Sequence, residues 1–364
     1  MMVTGFYFTT FILMLISSTV FFWKWHKHVD FYFSIMYCLF PIAALGYFML
    51  SISKDVGNAI FAQKFIYLGG SFLSLLGMHA IFHLAQLRIP RWVTFISLAL
   101  TFFVFLSALT IGFNGLYYKS QKIVTKYGAT VLEKEYGPLH SFFYPMIILY
   151  FSLSLAALIY AFKKKNEASR KNLLLLFITL ACSVFSFFIA RMITDAIEWI
   201  PATYFTNSVI YLFIIDRLSL YNIGDTIAET IIRDGNSGFI SVDFKGNYLG
   251  STLQAKRLLP ALKDEMVDLE LKDPVIKENV NRWIEDFKKD EVTHDIFMDY
   301  NSMIYRVQIK YLFDGKRRRG YQIKIEDDTG HRQYLKTLED YNKNIKEELE
   351  VKTKMIGELR KSAE

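Results

Sequence analysis

The sequence predicts a membrane-embedded, all-α bundle of seven helices, followed by a small α+β domain and a long C-terminal helix. Two observations predict this architecture. The mean hydropathy of +0.23 is high for an ordinary soluble chain. Long apolar runs alternate with short loops as far as residue 220, and the remaining chain is charged and patterned like a soluble domain. The chain therefore changes from a membrane part to a soluble part near residue 221.

A membrane-spanning helix needs roughly 20 mostly apolar residues, and seven runs of this sequence are close to that length or exceed it. They cover residues 6–23, 31–52, 60–85, 92–112, 141–162, 172–194 and 200–220. The first run has no basic segment before it and is soon followed by the second. It is therefore expected to be a retained helix rather than a cleaved signal peptide.

Basic loops predict the orientation of the bundle. The loops at residues 24–28, 88–91 and 163–171 follow the first, third and fifth runs, and all three are basic. Short loops rich in Lys and Arg mark the cytoplasmic side of a membrane, so the N-terminus is expected outside and the C-terminal half in the cytoplasm. Because much of the formal charge of +7 lies beside apolar runs, the expected partner is the lipid bilayer and not nucleic acid.

Residues 222–330 are predicted to form the α+β domain. A Lys-Gly-Asn turn joins two short strand-like runs, a helical middle follows, and three further strand-like runs come close together. These runs cover residues 238–243, 248–250, 253–259, 275–287, 293–299, 304–313 and 320–326. Two strands, helices and three strands suit a small domain built on an antiparallel sheet.

Residues 331–364 are predicted to form a helix with a heptad seam. Its positions alternate three and four residues apart: Leu335, Leu338, Asn342, Ile345, Leu349, Lys352, Ile356 and Leu359. Such a seam favours a parallel dimeric coiled coil, in which Asn342 can set the register. The alternative is a single helix that lies on the sheet.

Four short stretches carry a resemblance to a bacterial family. They are residues 62–69 (AQKFIYLG), 136–140 (YGPLH), 238–247 (GFISVDFKGN) and 326–329 (EDDT). Together with the order of the parts, they resemble the N-terminal seven-transmembrane sensor region of histidine kinases and cyclic-di-GMP enzymes, followed by a PAS domain and a signalling helix.

The resemblance implies a sensor domain at residues 1–221, a cytoplasmic PAS-like domain at 222–330 and a signalling coiled coil at 331–364. It also implies a multi-pass protein of the bacterial cytoplasmic membrane, a homodimer, and an output domain absent from this chain. The alternative is a signalling enzyme truncated at its output, either a diguanylate cyclase, an HD-type phosphodiesterase or a histidine kinase. A transporter is less expected, because the odd helix count does not suit inverted repeats.

Polar residues inside a membrane are costly and mark candidate functional sites. With the predicted orientation, nine of them fall at or near the outer ends of four helices: Gln63, Lys64, Tyr67, His140, Tyr144, Arg191, Asp195, Tyr204 and Asn207. They predict a ligand pocket in the outer half of the bundle, where Lys64 and Arg191 would suit an acidic group. Alternatively, Arg191 pairs with Asp195 one turn away, and Lys64 snorkels to the interface.

Signal relay is expected at two junctions. Asp216 and Arg217 mark the point where the seventh segment leaves the bilayer, and Asp328 with Thr329 joins the last strand to the final helix. The long loop at residues 113–140 is expected to be either a mobile lid or a folded cap.

The sequence contains no catalytic constellation, Gly-rich phosphate loop or metal cluster, so neither enzyme activity nor a cofactor is expected of this chain. His79 and His83 have metal-ligand spacing on a helix but no evident third ligand. Retinal is excluded because the seventh segment has no lysine for a Schiff base. The two cysteines, Cys38 and Cys182, lie in apolar runs and imply no disulfide framework.

Overall fold

The computed structural model describes residues 2–25, 31–164, 168–193, 197–221, 237–314 and 317–363. The chain forms two compact units. The first consists of Met1–Tyr221 together with the short segment Met266–Asp268, and the second consists of Asn222–Glu265 and Leu269–Glu364.

The first unit is a helical bundle with one β-hairpin. Its helices are α1 (Met2–Lys24), α2 (Phe31–Ile52), α3 (Val56–Leu84), α4 (Arg91–Leu109), α5 (Phe143–Lys164), α6 (Arg170–Val184), α7 (Ala190–Ile193) and α8 (Ile200–Tyr221). Within the described ranges, six helical segments, α1 to α5 and Arg170–Ile189, are long and apolar enough to cross a membrane. The seventh predicted segment corresponds to α8, which has 22 residues.

Small residues allow α2 and α3 to pack closely. A Cβ added at Gly69 would overlap Ala43, and one added at Gly46 would lie 2.9 Å from the backbone nitrogen of Ile66. Close backbone approach through small residues is a common way for helices to associate in membranes, where apolar surface gives little driving force. The tyrosine and phenylalanine side chains of the bundle then fill the remaining space.

The sixth helix differs from the prediction of one continuous segment at residues 172–194. A π-helical turn, Phe185–Ile189, interrupts it after Val184, and α7 continues it. A π-turn inserts one residue into the helix and often marks a functional site. Here the turn contains Ser186, whose hydroxyl hydrogen bonds that of Thr203 on α8, so the irregularity lies where the two helices are joined by polar contacts.

The long loop at residues 113–140 folds as an antiparallel hairpin of β1 (Tyr118–Lys126) and β2 (Ala129–Tyr136). Tyr127 and Gly128 take positive φ angles of 52° and 77° in the turn, as two-residue hairpin turns require. The hairpin packs on α2 and α3, and the Thr130 hydroxyl donates to the Ser53 carbonyl at 2.7 Å. The loop is thus a folded cap, and we call this end of the bundle the hairpin end.

The second unit contains a five-stranded antiparallel sheet. Its strands are β3 (Gly238–Asp243), β4 (Tyr248–Ser251), β5 (Ile296–Tyr300), β6 (Met303–Asp314) and β7 (Arg317–Asp327), arranged in the order β4-β3-β7-β6-β5. Helices α9 (Leu253–Leu258) and α10 (Pro274–Asp290) lie between β4 and β5 in sequence. The Asp273 side chain caps α10, and Trp283 of that helix is almost fully buried.

The final helix, α11 (Thr329–Ala363), has 35 residues. Its apolar residues remain exposed: Leu335, Leu338, Ile345, Leu349 and Ile356 are 37–58% accessible. The side chain of Leu359 lies outside the described residues. An apolar stripe of this length on an otherwise charged helix is typical of a helix that packs against a partner helix.

Candidate ligand-binding cavity

A cavity of about 120 Å³ lies at the hairpin end of the bundle. Residues of α1, α2, α3, α5, α8, the hairpin and the π-helical turn line it. Six tyrosines contribute to the lining: Tyr7, Tyr47, Tyr67, Tyr136, Tyr144 and Tyr204. An aromatic cavity with a few convergent polar groups is the usual form of a small-molecule site.

One face of α3 lines the cavity. Gln63, Ile66, Tyr67 and Gly70 are spaced three and four residues apart and all contribute to it, as helix geometry requires of residues that share a face. Lys64 lies off this face. Its ammonium is 4.9 Å from the centre of the Phe113 ring, so the structure places this predicted ligand residue outside the lining.

The hairpin contributes to the lining through β2, of which Ala129–Leu132, Lys134 and Tyr136 line the cavity. Beyond Leu132 only every second residue does so, because side chains of a strand alternate between its two faces. Lys134, rather than Lys64, is therefore the lysine of this cavity. The Lys134 ammonium lies 5.3 Å from the centre of the Tyr118 ring.

A buried hydrogen-bond network connects the hairpin to the bundle. The hydroxyls of Tyr67 and Tyr118 are 2.6 Å apart, and His140 Nε2 is 3.1 Å from the Tyr67 hydroxyl. Tyr136 stacks on His140 with ring centres 3.9 Å apart. Burial raises the pKa of the Tyr118 hydroxyl well above its usual value, so this group stays protonated. The network thus joins the hairpin to α3 through two tyrosine hydroxyls and the His140 imidazole.

The wall formed by α1, α2 and the start of α8 carries a carboxylate. Glu198, just before α8, lines the cavity, and its backbone N–H donates to the Tyr7 hydroxyl at 2.9 Å. Tyr7 stacks on Tyr47 with ring centres 6.0 Å apart. The cavity thus has a basic residue on the hairpin wall and an acidic residue on the α1–α8 wall.

The structure brings together five of the nine predicted ligand residues: Gln63, Tyr67, His140, Tyr144 and Tyr204. The position of the Arg191 side chain and the whole of Asp195 lie outside the described residues. Lys134, Glu198, Tyr7 and Tyr47 line the cavity without having been predicted. The alternation of β2 is the one available signal for Lys134, and it is weak because charged residues lie on both faces of the strand.

Asn207 lines a second cavity of about 40 Å³, deeper in the bundle. Its amide donates to the Ser183 hydroxyl at 3.0 Å, and its buried Oδ1 has no hydrogen-bond partner among the described residues. Phe187 and Tyr204 line both cavities. These two side chains therefore form the wall between the outer and the deeper cavity.

The family described as the N-terminal 7TM region of histidine kinase matches residues 6–224, more than half of the chain. The chain belongs to this family. The match identifies the first unit as the seven-transmembrane region and confirms this part of the resemblance predicted from sequence. No match was found among curated proteins. The chain is accordingly a membrane protein that carries a sensor region, which is not itself catalytic.

At the other end of the seven-transmembrane region, Arg217 of α8 contacts Asn172 and Asp268. Its Nε donates to Asn172 Oδ1 at 3.0 Å, and its Nη2 lies 2.9 Å from Asp268 Oδ1. Asp268 belongs to the segment that packs with this unit, and it also accepts a hydrogen bond from the Ser169 hydroxyl. Arg217 and Asp268 thus tie the end of α8 to the start of α6. Asp216 instead pairs with Lys24 of α1 at 3.2 Å.

The second predicted relay junction is a hydrogen-bonded corner between the sheet and α11. The Ile304 N–H of β6 donates to the Thr329 hydroxyl at 2.9 Å, and the Asp328 N–H donates to the Ile304 carbonyl at 2.9 Å. Hydrogen bonds from Thr329 lower the pKa of the Asp327 carboxyl. The start of α11 is therefore fixed to β6 by both backbone and side chain.

Proposed function

We propose that the chain is a transmembrane sensory receptor module that binds a small molecule with an acidic group at the hairpin end of its bundle. The observation that carries this proposal is the cavity itself. It combines a lysine, a buried histidine and six tyrosines under a folded cap, in a region whose family is a sensor region. An ammonium and neutral hydroxyl donors suit a carboxylate or another acidic group.

The basic loops support an orientation with the hairpin end outside the cell. Arg88 and Arg91, together with Lys163 and Lys164, lie at the end of the bundle opposite the hairpin, and such residues favour the cytoplasmic side. In this orientation the N-terminus is outside and the second unit is cytoplasmic. The ligand then comes from outside the cytoplasm.

Ligand binding is tested by thermal unfolding of the full chain in detergent with a library of small acids and neutral analogues. We expect an acidic ligand to raise the unfolding temperature of the wild type, because a ligand that binds only the folded state stabilises it. Lys134→Met should weaken that ligand by about 10-fold or more, the usual loss for a charge-assisted hydrogen bond.

Lys64→Met is the matched control, because it removes a lysine near the same end of the bundle that does not line the cavity. It should leave the ligand-induced shift unchanged. Equal losses in both lysine variants would point to a general effect of surface charge and would reject the cavity as the site.

We further propose that the signal passes through α8 and a PAS-like second unit to α11, which pairs with α11 of a second copy and leads to an output domain. The order of two strands, helices and three strands in an antiparallel sheet supports the PAS-like assignment. The exposed apolar stripe of α11 supports the dimer. Ligand binding would favour one of two bundle arrangements and so bias the helix pair.

The dimer is tested by disulfide crosslinking in a chain whose native cysteines are replaced by serine. Leu338→Cys and Ile345→Cys should each give covalent dimers on mild oxidation, because both positions face the partner in a parallel seam. Asp340→Cys and Glu347→Cys, on the opposite side of the helix, are the controls and should stay monomeric. Crosslinks of equal yield at all four positions would indicate random collisions rather than a coiled coil.

A further inference from the structure

The deeper cavity of about 40 Å³ contains a buried polar atom that has no hydrogen-bond partner in the described part of the chain. This atom is the Oδ1 of Asn207, a residue of α8 that is 6% accessible. The Asn207 Nδ2 donates to the Ser183 hydroxyl of α6 at 3.0 Å. The Ser183 hydroxyl gives its own proton to the Thr179 carbonyl at 2.9 Å, so it can only accept from Asn207. This arrangement fixes the orientation of the amide and leaves Oδ1 in need of a donor.

Two further hydroxyls of the lining already donate their protons to the backbone. The Ser74 hydroxyl of α3 donates to the Gly70 carbonyl at 2.9 Å, and the Thr179 hydroxyl of α6 donates to the Leu176 carbonyl at 2.8 Å. A hydroxyl oxygen keeps acceptor capacity after it has donated its proton. These groups, like Asn207 Oδ1, can therefore act only as acceptors toward an occupant of the cavity. The occupant must be a species that offers hydrogen atoms or positive charge to oxygen.

The neutral lining of the deeper cavity favours water over a cation. Among the described residues that line it there is no Asp, Glu, Lys, Arg or His. An unpaired charge inside a membrane bundle is costly, whereas a buried water needs only about two to four polar partners. One water requires about 10–15 Å³ of such a cavity, so a volume of about 40 Å³ has room for about three.

We propose that the deeper cavity is a hydration site, in which about three ordered waters complete the hydrogen bonding of Asn207. The waters donate to Asn207 Oδ1 and to the hydroxyl oxygens of Ser74 and Thr179, and they thereby bridge α8 to α3 and α6. Such water-mediated hydrogen bonds are enthalpically nearly as favourable as direct ones. The hydration site is independent of the ligand that the outer cavity binds.

The position of the hydration site gives its water a role in the movement of the bundle. Phe187 and Tyr204 separate the two cavities, so a shift of either ring toward the deeper cavity reduces the space that water can occupy. Loss of the water bound to Asn207 leaves Oδ1 buried and unpaired, which carries the full cost of desolvating a carbonyl group. The waters therefore oppose inward movement of this wall.

The test is X-ray hydroxyl-radical footprinting of the full chain in detergent micelles, read by mass spectrometry. Radiolysis of a bound water forms a hydroxyl radical in place, and this radical oxidises nearby methionines even where bulk solvent has no access. Met36 and Met78 line the deeper cavity, whereas Met14 and Met146 line neither cavity, and all four are at most 2% accessible. We expect rapid oxidation of the first pair and only background oxidation of the second.

Two variants test whether the water depends on the polar lining. Asn207→Leu replaces the amide by an apolar group, and it should lower the oxidation of Met36 and Met78 to the background level. Gly77→Ala adds one methyl group to the lining of the cavity without a clash, because its Cβ would lie 3.9 Å from the Tyr211 hydroxyl. This variant should therefore fold normally, leave room for less water and give an intermediate level of oxidation.

Thr101→Val is the matched control, because Thr101 is fully buried, its hydroxyl donates to the Ser97 carbonyl and it lines neither cavity. It should leave the oxidation pattern unchanged. Equal oxidation of Met14 and Met78 in the wild type, or oxidation of Met78 that persists in Asn207→Leu, overturns the hydration site. A rise in unfolding temperature that NaCl produces, choline chloride does not and Asn207→Leu abolishes would identify a cation as the occupant and likewise overturn it.

Discussion

Arg217→Ala is expected to lower the free energy of unfolding of the seven-transmembrane unit by about 3 kcal/mol. The substitution leaves the Asp268 carboxylate, whose side chain is only 2% accessible, without its guanidinium partner. Removing one partner of a buried ion pair typically costs about 3–5 kcal/mol. The lower value applies because Ser169 and the Lys171 N–H still donate to Asp268, and the Lys171 ammonium lies 3.9 Å from Asp268 Oδ1. The measurement is unfolding of the purified chain by titration with SDS, followed by circular dichroism.

Two further variants separate this effect from a general loss of surface charge. Lys24→Ala breaks the pair with Asp216, in which both side chains are 39–50% accessible, and should cost less than about 1 kcal/mol. The double variant Arg217→Gln with Asp268→Asn should recover part of the loss, because it removes the buried carboxylate that the single variant leaves without its guanidinium partner. A similar small effect for Arg217→Ala and Lys24→Ala would show that the Arg217 pair contributes little.

Gly137→Ala is expected to destabilise the hairpin end by about 3 kcal/mol and to abolish ligand binding. A Cβ at this position would overlap the Leu116 carbonyl and come within 2.6 Å of the Gly115 carbonyl oxygen. Overpacking usually costs about 1–3 kcal/mol, and the upper value is expected because the obstructing atoms are backbone. The hairpin would have to move away from the bundle. Limited proteolysis of the hairpin, together with ligand-induced thermal shift, measures both effects.

Gly115→Ala is the control for this prediction. A Cβ at Gly115 would meet its nearest heavy atom, the Lys119 Cα, at 3.8 Å, which is an ordinary contact. The variant should therefore retain both protease resistance and binding. Binding that survives Gly137→Ala would mean that the position of the hairpin is unimportant for the site.

The membrane part of the fold could be predicted because its signal is strong and local. A run of roughly 20 apolar residues rarely forms anything other than a membrane-spanning helix. The family match covers the same region. The π-helical turn Phe185–Ile189 could not be predicted, since a single extra residue changes neither the composition nor the hydropathy of the segment. The sequence leaves the loop at residues 113–140 open between a lid and a cap, because charged residues fall on both faces of its strands.

The lining of the outer cavity could be predicted in part for a related reason. Polar residues in apolar helices are conspicuous, and five of those that the sequence singles out lie in the lining: Gln63, Tyr67, His140, Tyr144 and Tyr204. Lys134 and Glu198 lie outside the helices, where charged residues are common. Whether they line the cavity depends on how the loops fold over the bundle, which the sequence does not show. The charge of Lys64 makes it a candidate ligand residue in the sequence. On α3, however, it follows Gln63 directly and therefore points away from the face that lines the cavity.

The wall that Phe187 and Tyr204 share between the two cavities has a thermodynamic consequence. Any molecule that displaces these rings from one side alters the space on the other, so occupancy of the two chambers is coupled. A molecule bound in the deeper cavity would therefore change the affinity of any ligand bound in the outer one. Thermodynamic linkage makes this coupling reciprocal. A molecule in the deeper cavity would change the affinity of a ligand for the outer cavity by some factor, and that ligand would change the affinity of the molecule for the deeper cavity by the same factor.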